Sequence, residues 1–261
     1  MPFAAGLYYE LHGPDGAPPL ILSSGLGGSA RYWNANIAAL AEHFQVIAYD
    51  HRGTGRSDRA LPDVVTVDDF ADDIIALMNA LQIPKAHFVG HAAGGVAGLA
   101  LALKASERLG KLVVVNGWAR ADPHFLRCFE ARLNLLRNSG VEAFLRAQPI
   151  FLYPANWISA QTARLDAEMA QQLADFPGIT TMEKRIAALA GFDVSGKIAG
   201  LGERTCVLIA EDDMLVPATA GRLLAQELGG AVVYSAPTGG HACNVTDPAT
   251  FNHLVLDFLR S

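Results

Sequence analysis

Asp213 and His241 are, by residue type and order, an acid and a base able to activate a hydroxyl or a water, and the position that should carry their nucleophile is Ala92. Val89-Gly90-His91-Ala92-Ala93-Gly94-Gly95 stands where an apolar run gives way to a helical pattern, the setting of a G-x-S-x-G turn. Small residues are needed there because the tight turn presses its backbone against neighbouring elements while the central side chain projects above the sheet. A methyl group at that centre cannot attack a carbon. Ala/Gly-rich turns also serve packing alone, so the segment gains meaning from its companions. Ala210-Glu211-Asp212-Asp213-Met214-Leu215-Val216-Pro217 follows another apolar run and offers an acid ahead of a helix, and Gly239-Gly240-His241 follows the last such run. The order elbow, acid, histidine is that of a hydrolytic triad. With Ala92 in the nucleophile position, the chemistry left is general-base activation of water by His241, oriented by an acid.

Ser23-Ser24-Gly25-Leu26-Gly27-Gly28-Ser29 ends a further apolar run. In this setting the Leu26 and Ala93 N–H groups form the oxyanion hole, a pair of donors for charge developing on a substrate oxygen. A dinucleotide-binding loop is the rival reading, but Gly25-Leu26-Gly27-Gly28-Ser29-Ala30 lacks the last glycine of G-x-G-x-x-G. Asp50-His51-Arg52-Gly53-Thr54-Gly55-Arg56-Ser57 reads as a loop pinned by Asp50 and Arg52. His91 reads as a hydrogen-bonded core histidine. Cys243, two residues past His241, has no neighbouring base or cationic group to lower its pKa and reads as packing.

Several elements must hold these turns. Leu20–Leu22, Val46–Tyr49, His87–Val89, Leu112–Val115, Val207–Ile209 and Val232–Tyr234 are continuously apolar, which predicts strands covered on both faces and a mostly parallel sheet. Leu7–Leu11 alternates and predicts an edge hairpin. A helix capped by Thr66 places Val67, Phe70, Ile74, Leu77, Met78 and Leu81 on one face before Pro84. Further helices are expected near 94–105, 218–228 and 248–259. Between Asn116 and Thr205 helical patterns at 125–137, 141–147, 163–173 and 183–190 predict an inserted cap of about 119–200, divided by Pro149, Pro154 and Pro177. The whole chain, 1–261, is expected to form one α/β domain of parallel sheet flanked by helices.

A net charge of −6 and the lack of basic clusters exclude a nucleic-acid or polybasic membrane surface and leave a small molecule as the expected partner. The segment Met1–Gly6 lacks a charged stretch and apolar run, and no stretch is apolar enough to span a bilayer, which predicts a cytoplasmic protein. Cys128, Cys206 and Cys243 are widely spaced, without CxxC or Cys/His metal spacing, so reduced thiols, no metal and no cofactor are expected. An exposed apolar cap helix would allow a homodimer.

Taken together, the motifs from Leu7 to Leu259 resemble the α/β-hydrolase superfamily, with Asp50-x-Arg52-Gly53-x-Gly55-x-Ser57 a specific part of the match. Asn116-Gly117-Trp118, Arg127-Cys128-Phe129, Gln148–Ala155 and Gly239–Pro248, with the alanine elbow, resemble the RutD-type hydrolases of bacterial pyrimidine utilisation. The family pattern favours Asp213 over Asp212 as the acid, because Asp213 stands four residues before Pro217. It also sets Ser24 where many relatives carry histidine. The resemblance implies a role in uracil breakdown, on carbamate or on 3-aminoacrylate, and does not choose between them. Ser24, Trp118 and Arg120 are the candidate substrate contacts; Trp118, Phe151, Tyr153 and Trp157 are otherwise cap packing, and Arg120 otherwise a solvated cation. Two rival readings are a pseudo-hydrolase that binds a metabolite without turnover and an engineered serine-to-alanine form of an ordinary esterase.

Overall fold

The computed structural model describes residues 2–261. In chain order its elements are β1 (Phe3–Ala4), β2 (Leu7–His12), β3 (Pro19–Ser23), α1 (Asn34–Ala41), β4 (Gln45–Tyr49), α2 (Val67–Ala80), β5 (Ala86–His91), α3 (Ala93–Lys104) and β6 (Leu109–Val115). An inserted helical region follows, α4 (Pro123–Leu152), α5 (Ala155–Ala174) and α6 (Ile179–Ala190). The chain then returns through β7 (Thr205–Ala210), α7 (Ala218–Leu228), β8 (Val232–Ala236), α8 (Cys243–Thr246) and α9 (Pro248–Arg260). The sheet runs in the order β1-β2-β4-β3-β5-β6-β7-β8. The β1–β2 and β2–β4 pairings are antiparallel, and every pairing from β3 to β8 is parallel.

Two hydrophobic clusters explain the unbroken apolar runs. Alternate residues of one strand enter opposite faces: Leu112 and Val114 join α2, α3 and the inserted helices, while Val113 and Val115 join α1 and α9. A strand sandwiched in this way has no polar face to show. The helix α2 carries a complete capping box, Thr66 Oγ1 accepting from Asp69 N and the Asp69 carboxylate from Thr66 N, and it buries Phe70, Ile74, Leu77 and Met78.

Two expectations change. Val232 and Val233, read as doubly covered, are exposed because β8 is the sheet's edge and pairs only with β7. Pro149 does not divide the insertion: it lies inside α4, within its last turn, where the missing N–H forfeits one hydrogen bond, and its own carbonyl accepts Tyr153 N. The break falls instead at Gly140, whose φ of 87° and ψ of 179° kink α4. At the neck of the insertion, the Arg120 and Asp193 backbones form an isolated antiparallel β-bridge, and Val194 N donates to Ala119 O.

Candidate active site

Parallel strands deliver their carboxyl ends to one edge of the sheet, and the turns that follow β3, β5, β7 and β8 carry the candidate site residues. The turn after β5 is the most constrained. Ala92 holds φ 48° and ψ −106°, a left-handed conformation that costs an alanine about 1–3 kcal/mol. It persists because the turn is fixed on every side. Ala92 N donates to Val115 O at 2.9 Å, a Cβ on Gly90 would run into the Gly94 carbonyl, and one on Gly94 into the Ser23 carbonyl. The nucleophile elbow is therefore built in full around a residue that cannot act as one.

His241 is buried, and its Nδ1 lies 2.7 Å from Asp213 Oδ2, itself a buried side chain. The other oxygen, Asp213 Oδ1, accepts Leu215 N at 2.7 Å and Val216 N at 2.9 Å, so the carboxylate is held rigidly. A carboxylate on Nδ1 fixes the tautomer that leaves Nε2 free to accept a proton. The neighbouring Asp212 shapes the loop that presents the histidine, its oxygens accepting Gly240 N at 2.8 Å and Gly239 N at 3.3 Å. Of the two adjacent aspartates, it is Asp213 that meets His241.

The histidine loop is tied down from its other side. Asn116 Nδ2 donates to His241 O at 2.8 Å, and its Oδ1 accepts Ala210 N at 2.9 Å, so one amide joins the ends of β6 and β7 to the His241 backbone. His91 Nε2, 2.8 Å from the same carbonyl, must carry a hydrogen there, which leaves Nδ1 as an acceptor; that nitrogen has no partner among the described residues. The His91 ring stacks on Tyr32 at 4.8 Å and meets the His241 ring edge at 4.6 Å.

The turn after β3 carries Leu26, whose N–H is one of the two expected oxyanion donors. Leu26 N–H donates to no backbone group of the described residues, while Leu26 O accepts Arg185 Nε at 3.1 Å. Arg185 reaches down from α6 fully buried, and it also donates to Arg52 O and pairs Nη2 with His51 Nδ1 at 2.9 Å. His51 continues the chain through Nε2 to Ser23 Oγ at 3.0 Å and on to Tyr49 OH. Ala93, the first residue of α3, offers an N–H that no helical carbonyl takes. The Asp50 loop is pinned by both residues, as its sequence implies, each through its own partners. Asp50 binds Arg56 and Ala30 N, whereas Arg52 turns to Asp73 at 2.7 Å.

Comparison with known proteins agrees with this construction. The α/β hydrolase fold family matches residues 18–248. A protein of Caulobacter segnis named "Putative carbamate hydrolase RutD" is 52% identical over 98% of this chain and 97% of its own length. A protein of the same name from Pseudomonas savastanoi is 44% identical over 98% and 99%. The chain belongs to the RutD family of α/β hydrolases. Among solved structures, the enol-lactonase of Burkholderia xenovorans superposes with a TM-score of 0.88 at 27% identity, over 99% of this chain and 98% of that one.

The other candidates for this RutD-family site separate cleanly. Ser24 is buried beside the oxyanion turn with its hydroxyl unpartnered among the described residues, and Trp118, buried against Phe125 at 4.4 Å, has an unpartnered Nε1. Arg120 is exposed at the neck of the insertion, in a backbone bridge with Asp193, and makes no hydrogen bond to the other candidate residues among the described residues. Tyr153 stacks on Trp157 at 4.4 Å, as cap packing. Cys243 is buried and its thiol is pushed up to about 12, chiefly by desolvation and then by Asp213, so no thiolate forms near neutral pH.

Motif reading named Asn116 without its contact to His241, and it passed over two buried arginines, Arg132 and Arg185. For the two arginines a signal existed. Arg185 falls in register with Met182, Ile186 and Leu189, and Arg132 with Phe125, Cys128, Phe129 and Leu136, all buried. A cation on the apolar stripe of a helix has no water to face and needs a partner inside.

Burial holds the His51 and His91 imidazoles well below their usual pKa, reinforced by Arg185 beside the first and His241 beside the second. Both stay neutral in the folded protein, whereas the unfolded chain takes up protons below about pH 6.5. More protons on the unfolded state means that stability falls as pH drops below that value, by up to about 1.4 kcal/mol per pH unit for each histidine. Thermal unfolding followed between pH 7.5 and pH 5.5, roughly the window around that unfolded value, is expected to show the decline. A His91→Asn variant, with one titration fewer, is expected to flatten it.

Proposed function

We propose that the protein hydrolyses a small, labile C–N bond, that of carbamate or of 3-aminoacrylate, in uracil breakdown, by water activation at His241 without a covalent intermediate. The observation that carries this reading is an intact, buried His241–Asp213 pair beside a complete elbow that has no nucleophile. With carbamate, His241 Nε2 takes a proton from a water above Ala92 as its oxygen bonds to the carbon. The Leu26 and Ala93 N–H groups then hold the oxygen that gains charge, and the proton passes to nitrogen as the C–N bond breaks, giving ammonia and bicarbonate. With 3-aminoacrylate in its imine form, water adds to the carbon bearing nitrogen, and loss of ammonia leaves malonic semialdehyde.

Magnitudes favour a labile substrate. Losing the serine of a complete triad lowers turnover by about a millionfold, yet about a thousandfold over water remains from the oxyanion hole and binding. That remainder is about 4 kcal/mol of barrier, negligible for a stable amide and useful for a molecule that already decays unaided. The test is ammonia release from each substrate, with the protein and with His241→Ala, against the spontaneous rates. At least about a hundredfold of the acceleration is expected to vanish with the imidazole. Acceleration that survives the substitution intact overturns the mechanism, and no acceleration of either substrate makes the protein a binder.

A further inference from the structure

Arg132 and Arg185 are both buried, and they differ in one respect. Arg185 spends its donors on Leu26 O, Arg52 O and His51 Nδ1. Arg132 makes a single hydrogen bond among the described residues, Nη2 to Gln148 Oε1 at 3.2 Å, out of the five N–H groups of a guanidinium. Its Nε is buried and unpartnered, and no carboxylate of the described residues pairs with it. The rings of Phe129, Phe144 and Phe151 surround it, their centroids 5.3, 5.0 and 5.5 Å away. Desolvation lowers its pKa to about 10. Aromatic faces offset part of the burial of a cation, but they leave its in-plane N–H groups unsatisfied.

The location of this unpaired charge is set by what α4 rests on. One turn before Arg132, Cys128 Sγ lies 3.7 Å from the carbonyl of Met214, the residue after Asp213, and His124 Nε2 donates to the same carbonyl at 2.7 Å. Beyond the Gly140 kink, the end of α4 rests on the histidine loop, Leu152 O accepting Ala242 N at 3.0 Å. The Arg132–Gln148 contact joins these two halves of α4. The arginine thus stands in the roof where the acid loop and the histidine loop meet, beside the row Trp118–Phe125–Phe129.

We propose that Arg132, positioned by Gln148, is the carboxylate-binding subsite of this active site, taking one small monocarboxylate by a forked, charge-assisted pair. A planar carboxylate matches the free edge of the guanidinium and neutralises it where no side chain does. The aromatic walls select a short, flat anion over a large or multiply charged one. The identity of the reacting molecule rests on the C–N hydrolysis reading; the subsite itself does not.

The experiment separates the two. Acrylate and its neutral isostere acrylamide are titrated against the full protein, following titration calorimetry and thermal shift, and the titration is repeated with Arg132→Met, Arg132→Lys and His241→Ala. Methionine is expected to fold, since replacing a buried charge by an apolar chain of similar length is often neutral, and circular dichroism and the melting midpoint verify it. The expected result is a preference for acrylate that His241→Ala retains, that Arg132→Met abolishes, and that Arg132→Lys keeps in part. In turnover, Arg132→Met is expected to raise KM about ten- to a hundredfold with a smaller change in kcat. No preference for acrylate over acrylamide, or a preference unchanged in Arg132→Met, overturns the subsite. Carboxylate binding without accelerated ammonia release leaves the subsite standing and defeats the hydrolysis reading instead.

Discussion

Ala92→Ser is expected to move the protein in two directions at once, creating an esterase while suppressing its own reaction. The backbone of the elbow already holds the positive φ that a nucleophilic serine requires, fixed by Ala92 N to Val115 O and by the close approach at Gly90 and Gly94. The His241–Asp213 pair is assembled, and His241 Nε2 makes no hydrogen bond within the described residues. A hydroxyl placed there completes a triad that in working enzymes accounts for about a millionfold of turnover. With p-nitrophenyl acetate the serine variant is expected to show a burst of product and at least about a hundredfold faster turnover than the alanine protein, a part of that range. The same hydroxyl occupies the space assigned to the attacking water, so ammonia release is expected to fall. Ester hydrolysis unchanged from the alanine form, with the fold intact, would mean that the elbow and His241 are out of reach of each other. A rise in both activities would remove the argument for a water-only site.

How much of this could be read along the chain depended on the range over which each feature is decided. The strands β3 to β7 announce themselves because a doubly covered strand has no polar face, and the same rule misreads β8, whose apolar residues lie at an uncovered edge. The turns that carry Ala92, Asp213 and His241 are legible because each has its own local residue requirements, and only their order needs the whole chain. What supports them is not local. Arg185 meets Leu26 across 159 positions, Asn116 meets His241 across 125, and no turn or spacing encodes either contact. Arg120 illustrates the opposite error. Its place at the entrance of the inserted region made it a candidate for an anion, but the structure leaves it exposed, while a buried arginine, Arg132, lies further along, on α4. Buried arginines on apolar stripes were the available signal, and it lies in helical phase rather than in a motif.

The two adjacent aspartates provide the sharpest division between chemistry and scaffolding. Asp213→Asn preserves size and can preserve the bond to His241, but an amide that accepts the Leu215 and Val216 N–H groups with its oxygen must turn its NH2 toward Nδ1. The imidazole then accepts at Nδ1 and carries its hydrogen on Nε2, the wrong tautomer for taking a proton from water. In a triad this change lowers kcat by about ten-thousandfold. Because part of the acceleration here comes from the oxyanion donors alone, the expected loss is about a hundred- to a thousandfold, confined to kcat. Asp212→Asn keeps one oxygen for Gly240 N and gives up the weaker contact to Gly239 N, so it is expected to lose less than about tenfold, with a destabilisation of about 1 kcal/mol. Steady-state ammonia release and thermal unfolding of the two variants, measured side by side, distinguish these outcomes. Equal losses in both would place the function of Asp213 in shaping the loop and leave His241 without an orienting acid. A large loss for Asp213→Asn alone, at unchanged KM, assigns to one carboxylate the control of the proton on which water activation depends.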